Sequence, residues 1–238
     1  MPTTDTLLEV ASARTGYGSS PIIQGVDMAI ARGEIVTLIG RNGVGKSTMM
    51  RCLIGQLRLW EGSIRFRSQD VTTLPAERRA QAGMGYIPQG REVFPRMTVE
   101  ENLTVGEMIS GPTSRKLKDL VFEYFPILSE RRRQAAGTMS GGQQQQLAIG
   151  RALIGNPDLL LLDEPSEGIQ PNIVEDISRI IVQINKDLGT TILLVEQNLD
   201  MIMSTTQRCY VMDKGRITAE LAAADLTDRE AVKTYLQL

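Results

Sequence analysis

The stretch "EIVTLIGRNGVGKST", residues 34–48, decides the fold of this chain. Its first part, residues 34–39, is almost continuously apolar, which is typical of a strand buried on both faces of a parallel sheet. The remainder matches G-x-x-x-x-G-K-S/T, in which glycines let backbone N–H groups turn inward around phosphates at the start of a helix. The stretch predicts a strand, a phosphate-binding loop and a helix. The alternative is a glycine-rich turn that binds nothing.

The predicted phosphate loop supplies both a charge and a metal ligand. Lys46 is expected to reach the outer phosphates of a nucleotide, and the hydroxyl of Ser47 can ligate Mg²⁺. The residues predicted to contact nucleotide here are Gly40, Arg41, Asn42, Gly43, Val44, Gly45, Lys46, Ser47 and Thr48.

A second apolar run ends in two acidic residues at "LLLLDEP", residues 159–165. Asp163, at the end of a buried strand, can hold Mg²⁺ or its water, and Glu164 can polarise an attacking water as a general base. Taken alone, the pair is also compatible with a simple turn after a strand. Combined with the phosphate loop, it favours nucleotide hydrolysis.

The segment "MSGGQQQQLAIGRAL", residues 139–153, predicts a helix with a well-defined beginning. Ser140 and Gln143 have the spacing of a capping box, and the free N–H groups of the first turn would suit an anion. By itself, this segment indicates only a well-capped helix.

Composition excludes several classes of protein. The chain has 238 residues, of which 42% are apolar and 23% charged, as in a soluble globular protein. The net charge of -2, without basic residues interleaved with aromatics, argues against a nucleic-acid partner. The two cysteines, Cys52 and Cys209, belong to no metal or disulfide pattern. The first ten residues lack a signal-peptide pattern, and we find no apolar run long enough to cross a membrane.

Strand-like and helix-like segments alternate, which predicts an α/β fold with a mostly parallel sheet. The strand candidates are residues 26–30, 34–39, 158–162, 190–195 and 209–212. We expect one domain over residues 1–238, with an α/β core at 1–88 and 155–238 and an inserted helical subdomain at 89–154.

The helical insert carries its own local signals. Thr98 and Glu101 have capping-box spacing, and Pro112 and Pro126 enclose a second helical stretch, "SRKLKDLVFEYF". No convincing central strand falls between residues 89 and 139.

The C-terminal part reads as a hairpin followed by a helix. A turn is expected at residues 213–215 within "MDKGRITAEL", and Thr227 with Glu230 offers a cap for the terminal helix.

Taken together, these segments resemble the ATP-binding cassette ATPases over nearly the whole chain. The order matches that family: the phosphate loop, "GYIPQG" with Gln89 as the Q-loop glutamine, the "SGGQ" signature, and "LLLLDEP" soon after it. Small-molecule kinases and GTPases share the phosphate loop but lack the signature. The resemblance implies a P-loop NTPase core with an N-terminal antiparallel β element and the helical insert.

The resemblance also implies how nucleotide is bound. In this family, ATP with Mg²⁺ lies between one subunit's phosphate loop and the other subunit's signature. The signature residues Ser140, Gly141, Gly142 and Gln143 would then contact ATP held by a partner. Tyr17, in "RTGYGSS", stands where the family places an aromatic that stacks on adenine, although it is also compatible with a plain loop residue.

The resemblance assigns catalytic roles to Glu164, Lys46, Gln89 and Gln197, and metal ligation to Ser47, Gln89 and Asp163. Gln197 replaces the family's switch histidine, and the whole chain contains no histidine. A glutamine donates and accepts hydrogen bonds but cannot become cationic, so we expect it to change rate or symmetry rather than abolish binding.

The loop that follows Glu164 departs from the family's common form. In "DEPSEGIQP", Gln170 takes the place of the usual aspartate and Glu167 that of a serine. This motif and "PQGREVFPRMTVEENL" resemble importer ATPases for urea or short-chain amides. The alternative is a branched-chain amino-acid importer, which "VEQN" and "TVEENL" resemble. A nucleotide-gated interaction module that hardly hydrolyses ATP, or a cassette ATPase of DNA repair or translation, fits less well.

An importer subunit of this kind implies several partners. They are two permease subunits, a second and non-identical ATPase subunit, and, indirectly, a periplasmic solute-binding protein; a homodimer in isolation stays open. The expected location is the cytoplasmic face of the inner membrane. Residues 89–103 are the predicted docking place for a permease, unless Val93, Phe94 and Met97 are merely core of the insert.

Overall fold

The architecture is that of two sheets and a helical subdomain, seen in a computed structural model that describes residues 5–110 and 114–237. The strands are β1 (Thr6–Tyr17), β2 (Ser20–Ala31), β3 (Ile35–Ile39), β4 (Glu61–Phe66), β5 (Gln69–Asp70), β6 (Met84–Ile87), β7 (Leu159–Asp163), β8 (Thr191–Val195), β9 (Arg208–Asp213) and β10 (Arg216–Ala222). The helices are α1 (Lys46–Ile54), α2 (Ala76–Gln81), α3 (Val99–Ser110), α4 (Ser114–Tyr124), α5 (Pro126–Glu130), α6 (Gly141–Ile154), α7 (Pro171–Leu188), α8 (Leu199–Thr205) and α9 (Arg229–Gln237).

The larger sheet has the strand order β10-β9-β3-β8-β7-β6 and is parallel except for the β9–β10 pair. Every residue of β3, β7 and β8 is buried, as the apolar runs predict for central strands. Within β7, Leu159 and Leu161 join one hydrophobic cluster, and Leu160 and Leu162 join a second, because side chains alternate along a strand. The mostly parallel sheet is confirmed.

The smaller sheet is antiparallel, with the order β2-β1-β4-β5, and forms the expected N-terminal β element. Its inner side chains, such as Val10 and Met28, share a core with Met49 and Leu53 of α1 and with Leu38 of β3. Helix α1 is thus held between the two sheets. This packing fixes the phosphate loop, which immediately precedes α1.

Helices α3 to α6 form the helical subdomain, although its exact bounds, residues 89–154, stay a prediction. Its predicted caps are confirmed: the N–H of Glu101 donates to the Thr98 hydroxyl at 3.2 Å, and the N–H of Thr98 donates to the Glu101 carboxylate at 2.7 Å. Pro126 begins α5 and so ends the preceding helix. Pro112 lies outside the described residues.

The C-terminal hairpin is confirmed by β9 and β10, but the predicted cap of the last helix is wrong. Asp228, not Thr227, accepts the N–H groups of Glu230 and Ala231, at 3.0 and 3.1 Å. The hydroxyl of Thr227 donates instead to the Ala224 carbonyl at 2.8 Å, because Thr227 ends a short 3-10 turn.

Two negative expectations concern the whole chain. Across residues 5–110 and 114–237, we find no helix with the length and apolarity needed to span a bilayer. Both cysteines are buried and free.

Candidate active site

The phosphate loop connects β3 to α1 and lines a cleft of about 310 Å³. Gly40, Gly43 and Gly45 all have positive φ, at 145°, 82° and 112°. A Cβ at Gly40 would lie only 2.2 Å from the Met212 carbonyl oxygen, so this position requires glycine. No side chain in the described part of the chain caps α1, which leaves its first N–H groups available to an anion.

Lys46 is buried beneath this loop and bonds to backbone rather than to a carboxylate. Its Nζ donates to the carbonyls of Gly40 and Arg41 at 2.7 and 2.9 Å. Burial lowers the pKa of Lys46, and the nearby Glu164 and Asp163 carboxylates oppose that shift. The ammonium group of Lys46 therefore lies against the loop, hydrogen-bonded to backbone carbonyls.

Ser47 and Asp163 meet at the end of β7, as the two motifs predict. The Ser47 hydroxyl donates to Asp163 Oδ1 at 3.0 Å, and the Tyr86 hydroxyl approaches Oδ2 at 3.5 Å. Asp163 is only 3% exposed, and burial, with repulsion from Glu164, raises its pKa to about 6 despite the bond from Ser47. Two adjacent hard oxygen donors are the ligands that Mg²⁺ prefers, so these residues fit that metal.

Glu164 is held by two amides, one on each side. Gln89 Nε2 donates to its Oε2 at 3.2 Å, and Gln197 Nε2 donates to its Oε1 at 2.6 Å. Gln197 Nε2 also donates to Asn42 Oδ1 of the phosphate loop at 2.7 Å. Gln197, which the resemblance predicts to replace a switch histidine, thus joins Glu164 to the phosphate loop. The NH₂ group of Gln89, which is also a predicted metal ligand, contacts Glu164, and its metal ligation stays a prediction.

The signature begins helix α6 with the predicted capping box. The Gln143 N–H donates to the Ser140 hydroxyl at 3.4 Å, and the Ser140 N–H donates to the Gln143 side chain at 3.1 Å. None of the residues from Ser140 to Gln143 is among those that line the phosphate-loop cleft in the described structure. The two halves of the expected nucleotide site therefore lie apart within one chain.

Tyr17 lies at the end of β1, beside α1. Its hydroxyl accepts a hydrogen bond from Arg51 Nη1 at 3.3 Å, and the residue is 46% exposed. Tyr17 does not line the phosphate-loop cleft, but its ring is available to a planar group.

Two residues that the motifs do not indicate join the loops around Glu164. Arg91 Nη2 donates to the Glu167 carbonyl at 2.7 Å and so connects the segment after Gln89 to the loop after Glu164. Glu196, only 2% exposed, accepts hydrogen bonds from Ser166 and from the backbone that follows it. A charged residue between an apolar strand and a polar motif, as in "LLVEQN", was the available signal.

Known proteins resemble this chain in sequence and in structure. The family model described as ABC transporter matches residues 23–167. The high-affinity branched-chain amino acid transport ATP-binding protein BraG of Pseudomonas aeruginosa is 43% identical, over 97% of this chain and 99% of its own length. The lipopolysaccharide export system ATP-binding protein LptB of Escherichia coli K12 is 32% identical over 91% of each chain. The ADP conformation of MJ1267, an ATP-binding cassette of an ABC transporter, has a TM-score of 0.85 at 28% identity and covers 99% of this chain and 100% of its own.

A parallel sheet with a phosphate loop and a strand-end Asp-Glu pair defines a P-loop nucleotide hydrolase. The signature helix and these comparisons narrow the class: the chain belongs to the ABC transporter family and is an ATPase subunit of a transporter. The relatives favour the branched-chain alternative over the urea or amide interpretation.

Proposed function

We propose that this chain hydrolyses ATP to energise import of branched-chain amino acids. The observation that carries the proposal is the Glu164 carboxylate, held at the cleft of the phosphate loop by Gln89 and Gln197. The 43% identity to BraG supports the solute class. The chain would act as a peripheral subunit on the cytoplasmic face of the inner membrane.

The proposed chemistry follows from the contacts around the cleft. The phosphates of ATP would accept hydrogen bonds from the N–H groups of the loop, and Lys46 would exchange its two carbonyl partners for the outer phosphates. Glu164 would accept a proton from the attacking water, and the amide of Gln197 would orient the Glu164 carboxylate. Ser47, Asp163 and Gln89 would hold Mg²⁺, which when bound neutralises phosphate charge.

A second subunit would complete the site. Because Ser140 to Gln143 do not line this chain's own cleft, we propose that this end of α6 binds ATP held by a partner subunit. The N–H groups of Gly141 and Gly142 lie outside the capping box and would donate to that ATP. Tyr17 would stack on the adenine of this chain's own nucleotide.

The partner subunit is proposed to be a different ATPase, because Gln197 cannot supply a cation where the family commonly has a histidine. In the assembled complex, turnover is to be compared after Glu164→Gln and after the equivalent change in the partner. Unequal losses support two unequal sites, and equal losses count against them.

A cavity of about 360 Å³ between α2 and β6 of the core and α3 and α6 of the helical subdomain is the proposed docking place for a permease. Val93 packs against the core of the subdomain, but Phe94 and Met97 are 42% and 40% exposed. Phe94 lines the cavity, and Arg151 lies over its ring at 5.0 Å from the centroid. An apolar segment of a permease would cover this ring.

The docking proposal is tested by Phe94→Asp, with Val182→Asp as the matched control. Val182 is also an exposed apolar residue, 36% exposed, but lies on α7 and does not line the cavity. We expect Phe94→Asp to lose transport and co-purification with the permeases, while Val182→Asp retains both. Intact transport in a folded Phe94→Asp subunit would remove this docking place.

The solute is tested with the complete transporter and its binding protein, by phosphate release with leucine, urea or acetamide. We expect leucine to stimulate release and the Lys46→Ala variant to show none. Stimulation by urea or acetamide would instead support the second candidate, which rests on "PQGREVFPRMTVEENL" and "DEPSEGIQP". Tight ATP binding without phosphate release would indicate a nucleotide-gated interaction module.

A further inference from the structure

Glu196 is a buried carboxylate at the carboxyl end of β8, and four hydrogen bonds surround it. Its Oε1 accepts from the Ser166 hydroxyl at 2.8 Å, from the Gln197 N–H at 2.7 Å and from the Asn198 N–H at 2.8 Å. Its Oε2 accepts from the Ser166 N–H at 3.2 Å. All four of these donors are neutral hydroxyl or backbone N–H groups.

The two segments that Glu196 joins both lie next to Glu164. Ser166 follows Glu164 by two residues, and Gln197 donates directly to the Glu164 carboxylate at 2.6 Å. The backbone of Glu164 has a positive φ of 50°, and its N–H donates to the Val195 carbonyl at 2.8 Å. Glu164 therefore lies in a strained turn. The Glu196 side chain holds both the segment after Glu164 and the segment after β8.

A carboxylate suits this position better than an amide of the same shape. Because four donors converge on the two oxygens, a glutamine would have to place its NH₂ group against at least one of them. With its oxygen at the place of Oε1, the NH₂ would face the Ser166 N–H and repel it. The loop after Glu164 would then lose an anchor, although the volume of the side chain is unchanged.

We propose that Glu196 is a positioning residue for ATP hydrolysis, which holds Ser166 and Gln197 so that the Glu164 carboxylate faces the attacking water. Glu196 does not line the cleft and so acts through these two loops. The inference rests on the role proposed for Glu164 but not on the identity of the solute. Small displacements of a catalytic group have large effects on rate, which makes the idea measurable.

The test compares Glu196→Gln with Glu123→Gln, the same change at an exposed glutamate of α4, in the assembled transporter complex without solute. We expect Glu196→Gln to lower kcat by about 10-fold or more, with KM for ATP within about twofold of the native value. Glu123→Gln is expected to match the native enzyme. Combining Glu196→Gln with Glu164→Gln should lower the residual rate no further, because Glu196 acts through Glu164.

Ser166→Ala provides a second, gentler variant should Glu196→Gln fold poorly. It removes the hydroxyl donor only, and we expect a decrease in kcat of a few-fold at unchanged KM. An unchanged kcat in folded Glu196→Gln or Ser166→Ala protein overturns the proposal, as does an equal further loss in the Glu164→Gln background. Retained turnover in Glu164→Gln alone would instead refute the proposed role of Glu164.

Discussion

The two ends of the six-stranded sheet treat buried charge in opposite ways. Where β3 and β9 begin, Arg208 binds Glu34 through two hydrogen bonds, of 2.6 and 2.9 Å, and also contacts Tyr210 and Glu220. Where β3, β7 and β8 end, the carboxylates of Asp163, Glu164 and Glu196 lie near Lys46. That lysine bonds to backbone carbonyls, and the carboxylates bond to neutral donors.

This difference separates charge used for stability from charge kept for a ligand. At the beginning of the strands, the hydrogen bonds that Arg208 donates to Glu34 raise the pKa of Arg208, so both groups prefer to be ionised together. At the other end, burial raises the pKa of Asp163 and lowers that of Lys46, so each ionised form costs free energy, which the proposed phosphate and metal ligands would offset. The same sheet thus carries a satisfied end and a strained end.

Glu164→Gln should have the largest effect, because it removes the proposed general base at the strained end. We expect hydrolysis to fall by about 10³-fold, with ATP affinity retained, since the amide preserves shape. Single-turnover phosphate release and nucleotide binding measure the two quantities. Glu123→Gln on the exposed face of α4 is the control. A loss below about tenfold would mean that another group accepts the proton.

Arg208→Met should have the next largest effect, at the satisfied end. The Arg208 and Glu34 side chains are only 21% and 16% exposed, so the change leaves a buried carboxylate without its partner. We expect the free energy of unfolding to fall by about 3 kcal/mol, with much of it restored when Glu34 is also replaced by leucine. Urea denaturation of the apo protein measures this. ATP affinity should not change.

The stability from this pair should depend on pH. Burial raises the pKa of Glu34, but bonds from Arg208 and the Ala31 N–H outweigh it, and the net pKa is lowered. The contribution is therefore complete above the ordinary glutamate value of about 4.3 and is lost as pH falls through the lowered value. If the difference in free energy of unfolding between native and Arg208→Met protein stays constant below about pH 4, this pairing is contradicted.

Asp163→Asn, at the strained end, should raise the free energy of unfolding, whereas Arg208→Met lowers it. It replaces a buried charge, whose donors Ser47 and Tyr86 are neutral hydroxyls, by an amide whose oxygen still accepts from Ser47. We expect the apo protein to gain about 1 to 2 kcal/mol, and to lose the stabilisation that Mg²⁺ with ATP gives the native chain. Thermal unfolding with and without Mg-ATP measures both. A less stable apo variant would show that the charge is already compensated.

Local patterns predicted the parts of this molecule that are set by neighbouring residues. The strand and loop at residues 34–48 follow from sequence spacing, and so do the caps at Thr98 and Ser140, because each contact spans only a few residues. The cap of α9 was misjudged by one residue, since Thr227 and Asp228 are equally suitable and only the 3-10 turn distinguishes them.

Contacts between distant segments could not be predicted in this way. Gln89 follows β6 and Gln197 follows β8, and both side chains donate to Glu164, which follows β7. These hydrogen bonds depend on the register of the three strands. The contacts of Glu196 do not follow from "VEQN" alone, because its partners include Ser166, 30 residues earlier. These contacts are properties of the folded sheet edge rather than of any segment.

Gln197→His should have the smallest effect, and it tests whether hydrolysis requires a neutral side chain hydrogen-bonded to Glu164. The NH₂ group of Gln197 serves two acceptors, Glu164 Oε1 and Asn42 Oδ1. A neutral imidazole has one N–H and so can keep only one of these bonds, which should lower kcat a few-fold at pH 8. Below the ordinary histidine pKa of about 6.5, the imidazolium would pair with Glu164 and weaken it as a base. The kcat of the variant should therefore fall, relative to the native enzyme, as pH drops from about 8 to 6. Parallel pH profiles would show that the side chain at this position does not contact Glu164 during hydrolysis.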